Sequence, residues 1–221
     1  MPTQPPPTPF PPAPFPPATP PIVLTIAGSD SSGGAGVQAD IKAMSANGTY
    51  AASVITAVTA QNTAAVTHVH PVPADIVAAQ IAAVLSDLDV RTIKLGMLFS
   101  DKIIDAVAQG LAGFNGPIVL DPVMIAKSGD TLLQDAAVAA MLRALLPRAA
   151  LLTPNLPEAA RLLGTHPATS NAEAIAQGQR LLDLGPQAVL MKGGHAQGNI
   201  CTDILIGTGG VMATLTAPRV D

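Results

Sequence analysis

From residue 22 onward, two hydrophobic periods take turns along the chain. Ile22–Ala27 (IVLTIA) is a short apolar run of the kind that fills a strand covered on both faces. The segment 28–36 (GSDSSGGAG) interrupts it, and Val37, Ile41 and Met44 then recur at helical spacing up to Gly48. Ser53–Ala60 (SVITAVTA) predicts a second strand. Residues 74–88 predict a helix, with Val77, Ile81, Val84, Leu85 and Leu88 stacked on one face. Strand-like runs follow at Thr92–Leu98, Pro117–Leu120, Leu151–Thr153 and Ala188–Met191, separated by helical stretches near 101–112, 134–146, 156–163 and 172–184. Such alternation predicts an α/β domain, a mainly parallel central sheet with helices on both faces. The run 203–216 (DILIGTGGVMATLT) predicts a hairpin with a Gly-rich turn.

Residues 1–21 follow neither period. They hold 12 of the chain's 22 prolines, and each proline removes a backbone donor and restrains its predecessor. A disordered, polyproline-like tail is expected there, with the domain at 22–221. It lacks the basic start and apolar stretch of a signal peptide, since the first basic residue is Lys42. A proline-recognising groove could bind such a tail, although a passive extension is the simpler reading.

Composition narrows the function classes. Of the 221 residues, 48% are apolar, enough for a core, and the net charge is −4 with 11 scattered Lys and Arg. No nucleic-acid surface is expected from that balance. No apolar run is long enough to span a membrane, so no membrane association is expected. The lone Cys201 excludes an internal disulfide framework and a Cys-based zinc cluster, and fits a reducing cytoplasm. His68 and His70 alternate on one strand face, but without a third ligand nearby in sequence they predict no metal site.

In open parallel sheets ligands bind beyond the carboxyl ends of the strands. The loops expected there are 28–36, AQNT (60–63), GMLFS (96–100), DPVMIAKSGD (121–130), TPNLPE (153–158) and KGGH (192–195). The first is not a P-loop, because Gly33 is followed by Gly34 and Ala35 rather than Lys and Ser/Thr. Nor is it a dinucleotide fingerprint, because no acid ends the second strand. What remains is a flexible loop whose backbone can approach a small ligand, with Asp30 and Asp40 nearby, or a plain strand-to-helix turn.

Longer runs are more specific. TIAGSDSSGGAGVQADIKAMSANGTYAASVITAVTAQNT (25–63) closely resembles the start of the hydroxymethylpyrimidine/phosphomethylpyrimidine kinases, ribokinase-like enzymes of thiamine synthesis. KLGML (94–98), DPVMIAKSGD (121–130), LLTPNLPEAARLLG (151–164) and VLMKGGH (189–195) follow in that family's order, so the resemblance spans about 25–221. It implies a ribokinase-like three-layer fold and transfer of phosphate from ATP, with Mg²⁺, to an aminopyrimidine alcohol or its phosphate. A homodimer is compatible with it.

The resemblance also implies roles for individual residues. Gln61 would read the pyrimidine: its amide offers one acceptor and two donors, the complement of an amino group beside a ring nitrogen. Asp40, Gly28, Met97 and Val123 would line the same site, although Gln61 could simply cap a strand end and Asp40 be a solvated charge. Asn155 and Lys192 would face the ATP phosphates, with Lys127 above them and the N–H groups of Gly193 and Gly194 open to an anion. Asp121 and Glu158 would hold magnesium, which needs only one or two carboxylates. Asn155 to Glu158 is also a helix-capping arrangement, with Pro157 suited to the first turn.

The family completes its site with a Gly-rich anion hole, THGTGC, after an APRV-type strand, and its Cys is the candidate base. The 221 residues contain APRV at 217–220 and then Asp221, with no such run after it. By the resemblance, the anion hole and the Cys base would lie beyond Asp221, which implies a C-terminally shortened copy of doubtful activity with an exposed apolar face. GTGG at 207–210 precedes APRV and carries Gly210 in place of Cys, so it reads as a turn. A non-catalytic pyrimidine-binding remnant and a related pyridoxal-type vitamin kinase are the alternatives.

Overall fold

A computed structural model describes residues 19–124, 135–195 and 199–219. Eight strands form one sheet: β1 (Ile22–Ala27), β2 (Tyr50–Ile55), β5 (Val90–Leu95), β6 (Ile118–Leu120), β7 (Leu151–Leu152), β8 (Ala188–Met191), β9 (Ile200–Gly207) and β10 (Gly210–Pro218). Their order is β10-β9-β8-β7-β6-β5-β1-β2, and the strands from β2 across to β8 are parallel. β9 runs antiparallel to β8, and β10 returns from it as the expected hairpin, turning between Gly207 and Gly210. GTGG is therefore a turn and not an anion hole.

Register puts apolar side chains from six of the strands into a common layer. Leu24 pairs with Ile93, Ile93 with Ile118, Leu120 with Leu152, Leu152 with Val189, and Val189 with Ile206. All seven are buried. Against them pack α2 (Ala74–Asp87), α3 (Asp101–Gly110), α4 (Asp135–Ala144), α5 (Leu156–Leu163) and α6 (Asn171–Leu182). On the opposite face, among the described residues, α1 (Gly36–Ala46) alone covers β1 and β2. That second face presents the cross-strand row Thr25, Lys94, Val119 and Leu151, two polar residues beside two apolar ones. No helix among the described residues is long and apolar enough to cross a membrane.

The strand expected at Ser53–Ala60 is two strands. At Thr56 the chain leaves the main sheet: β2 ends at Ile55, and β3 (Ala57–Gln61) pairs antiparallel with β4 (Val66–Pro71) in a separate ribbon. Thr56 gives its N–H to the Ala27 carbonyl (3.0 Å), accepts from the Val72 N–H (2.9 Å), and donates its hydroxyl to the Met97 carbonyl (2.7 Å). Both strands are extended and no Gly or Pro marks the break, so alternation alone cannot locate it. Gln80 of α2 pairs both its amide groups with the Ile55 backbone (3.0 and 3.1 Å), closing the end of the sheet's edge strand. The strand expected to run to Leu98 ends at Leu95, where Gly96 begins the loop.

The apolar layer supplies the stability, whereas β10 faces water. Leu120→Ala is expected to lower the unfolding free energy by about 2–5 kcal/mol. Leu215→Ala, 60% exposed on β10, is expected to change it by less than about 0.5 kcal/mol in the same urea titration.

Candidate active site

The loop after β1 is organised by one carboxylate. Asp30 is 2% exposed; its Oδ1 accepts from the Ser32 N–H and hydroxyl (both 2.8 Å), and its Oδ2 from the N–H groups of Gly34 (3.0 Å) and Ala35 (2.8 Å). Burial works against the charge, but these hydrogen bonds, that of the Ser32 side chain foremost, outweigh it and hold the carboxyl below its ordinary value. The expectation of a flexible loop is corrected accordingly: Asp30 ties its turns together. At its end Gly36 adopts φ +56°, where a Cβ would run into the Gly28 carbonyl that accepts from the Val37 N–H.

Beside this loop lies a cavity of about 320 Å³. Gly28, Asp40, Gln61, Met97 and Val123, the five residues expected to meet the acceptor, all line it, and so do Lys94 and Asp121. Gln61 ends β3, with its backbone fixed by Ser31, whose hydroxyl donates to the Gln61 carbonyl (2.6 Å) and accepts from its N–H (2.8 Å). Thr59 commits its hydroxyl proton to the Ser29 carbonyl (2.8 Å) and lies 3.3 Å from the Gln61 amide, which stays available to a ligand. Asp40 is no solvated charge. Its Oδ2 accepts from the Thr25 hydroxyl (2.6 Å), and the Lys94 ammonium bridges both its oxygens (3.0 and 2.8 Å).

The second cluster sits at the ends of β6, β7 and β8. Lys192, directly after β8, lies 2.7 Å from Asp121 Oδ1, which also accepts from the Thr153 hydroxyl (3.1 Å). Asn155 caps α5: its Oδ1 accepts from the Glu158 N–H (2.9 Å), and Glu158 Oε2 accepts from the Asn155 N–H (2.8 Å). The cap and the kinase reading coexist, because this box fixes the Glu158 carboxylate near Lys192 and Asp121. Burial pushes the Glu158 carboxyl up to about 6; the backbone bond to Asn155 and the Lys192 charge pull it down, and Asp121 pushes it further up. Asp121 faces both ways, as a wall of the cavity and the partner of Lys192.

One expected anion donor is already taken: the Gly193 N–H donates to Asp203 Oδ1 (2.8 Å). Its Cβ position is filled by the Thr202 carbonyl, so only glycine fits there. Lys127, expected above the phosphates, lies outside the described residues. So does Asp221; the last described residue is Arg219, directly after β10. Thr25, Lys94 and Thr153 lie within the family-like runs at 25–63, 94–98 and 151–164, yet the sequence assigned no role to them or to Asp203. The available signal was a lysine inside an apolar strand, since buried lysines occur paired.

The two carboxylates and one ammonium suit a hydrated magnesium ion shared with phosphates, which needs few protein oxygens. They do not form a cage of their own: among the described residues no group of three or more His, Cys, Asp or Glu could hold a metal.

The raised Glu158 carboxyl makes stability depend on pH. The fold favours the protonated form, so its contribution is complete below pH 4.5 and is lost as pH rises through about 6. Between pH 4 and 7 the wild-type unfolding free energy should fall by about 2 kcal/mol relative to Glu158→Gln, which keeps the cap. Urea titrations of both proteins at the two pH values measure it.

Known proteins are similar to this chain in sequence and in fold. The phosphomethylpyrimidine kinase family matches residues 30–221. The hydroxymethylpyrimidine/phosphomethylpyrimidine kinase of Rhizobium meliloti is 51% identical over 200 residues, 90% of this chain and 75% of that protein. The crystal structure of phosphomethylpyrimidine kinase from Clostridium difficile superposes with a TM-score of 0.80 at 44% identity, covering 90% of this chain and 84% of that one. Pyridoxal kinase from Staphylococcus aureus in complex with AMP-PCP and pyridoxal gives a TM-score of 0.83 at 32% identity over 92% of this chain and 74% of that one. With its ribokinase-like, mainly parallel sheet, the chain belongs to the phosphomethylpyrimidine kinase family of phosphotransferases.

Proposed function

We propose that the chain binds 4-amino-5-hydroxymethyl-2-methylpyrimidine or its monophosphate and directs phosphate from ATP onto it, a step of thiamine diphosphate synthesis. The observation that carries this reading is the double role of Asp121, which lines the acceptor cavity while pairing with Lys192. An acceptor hydroxyl in the cavity and a phosphate at Lys192 would then lie on opposite sides of one carboxylate. Gln61 favours an aminopyrimidine over a pyridine alcohol, because its amide matches an amino group beside a ring nitrogen.

Phosphoryl transfer asks a protein chiefly for positioning and charge neutralisation. Lys192 supplies a positive charge for the nucleotide phosphates, and Asn155 fixes the helix start beside them. Asp121 and Glu158 would hold Mg²⁺, which neutralises phosphate charge when bound. Glu158 is mostly ionised above about pH 6 and mostly protonated below it, so cation binding through it should weaken in acid.

Incubating the purified chain with ATP, MgCl₂ and the pyrimidine alcohol should yield the phosphorylated alcohol by mass spectrometry. Gln61→Ala should raise KM about 10- to 100-fold with a smaller effect on kcat. Lys192→Ala should lower kcat about 100- to 1,000-fold, and EDTA should abolish turnover while leaving calorimetric pyrimidine binding intact. Turnover no higher than that of the Gln61→Ala, Lys192→Ala double variant would refute catalysis by this chain. Pyrimidine binding without transfer would then leave a binding role alone.

A further inference from the structure

Among the described residues lining the acceptor cavity, Lys94 is the one cation. It projects from β5 onto the α1 face of the sheet, in the cross-strand row where its neighbours are Thr25 and the apolar Val119. Its side chain is 21% exposed and that of Asp40 is 17% exposed, so both charges are largely withdrawn from water. Fold stability does not call for this pair, because a buried ion pair can usually be replaced by apolar residues of similar volume without loss. Its position in the cavity wall offers another reason for it.

Counting donors and acceptors sharpens that reason. An ammonium has three N–H groups, and Lys94 places two on the Asp40 oxygens. A carboxylate has about four acceptor sites, of which Lys94 and Thr25 fill three. One N–H and one acceptor site therefore remain on a pair that forms part of the cavity wall. Room for the ammonium depends on Gly96, where a Cβ would stand 2.9 Å from Lys94 Nζ. In an aminopyrimidine, Gln61 can pair with the amino group and the ring nitrogen beside it. The second ring nitrogen, on the far side of the ring, is then an acceptor without a partner, and burying it so would be costly.

Building on the pyrimidine reading above, we propose that Lys94 is a specificity-determining residue that donates its third N–H to the ring nitrogen Gln61 leaves unpaired, with Asp40 and Thr25 holding its ammonium in place. The amide and the ammonium together would then distinguish a pyrimidine from a pyridine that lacks this nitrogen.

Calorimetry on the full chain tests this with two compounds: the pyrimidine alcohol, and its pyridine analogue in which the nitrogen farther from the amino group is replaced by C–H. Wild type should bind the analogue about 10- to 100-fold more weakly, the range for a hydrogen bond to a charged group. Lys94→Met should bind both compounds with similar affinity, a loss of discrimination that a purely structural role would not produce. Equal wild-type affinities, or a preference retained in Lys94→Met, would overturn the assignment while leaving the pyrimidine reading intact. The wild-type ratio alone decides the matter if the variant does not fold. Wild type that binds neither compound would instead overturn the pyrimidine reading and this assignment with it.

Discussion

The apolar layer running through Leu24, Ile93, Leu120, Leu152 and Val189 fixes where everything else can be. A slip of one residue in any of these strands would turn its buried side chain to the opposite face, so each register is held by burial. Because the strands are parallel, their carboxyl ends lie along one edge, and Gly28, Gly96, Asp121, Thr153 and Lys192 follow within two residues of those ends. The chemistry is thus positioned by a layer of side chains that takes no part in it.

Charge at that edge is arranged in two pairs of different character. Asp40 and Lys94 neutralise one another in the cavity wall, with Thr25 a second donor to the carboxylate. Asp121 and Lys192 are joined by a second acid, Glu158, whose carboxyl is pushed up to about 6 by burial and by Asp121. The second cluster therefore carries more negative than positive charge once Glu158 ionises, which suits a cation accompanying phosphates. The first, balanced pair suits a neutral heterocycle.

Much of this was legible in the sequence because the signals were local. The runs at Ile22–Ala27 and Ala188–Met191 are strands with those bounds, and Asn155, Pro157 and Glu158 form the helix start their spacing predicts. Gly28, Asp40, Gln61, Met97 and Val123 reach a common cavity as the family motifs imply. What stayed hidden depends on partners distant in sequence. Lys94 meets Asp40 across 54 residues, and Lys192 meets Asp121 across 71. The Gly193 N–H, which a glycine pair suggests is open, is claimed by Asp203 on the neighbouring strand. The break at Thr56 also escapes local reading, because the groups that hold it, the carbonyls of Ala27 and Met97 and the Val72 N–H, are distant in sequence.

That break sets one wall of the cavity apart from the main sheet. The β3–β4 ribbon carries Gln61 but contributes no strand to the main sheet; it joins the domain at Thr56 and Val72, and Ala57, Thr59 and Gln61 hydrogen-bond to Ser29 and Ser31 in the loop after β1. Ala57 and Thr59 are buried, but outward-facing side chains such as Val58 lie away from the registers that hold the core. Substitutions within some fifteen consecutive residues could therefore reshape the cavity wall around Gln61 while the strand ends of β6 to β8 keep their places.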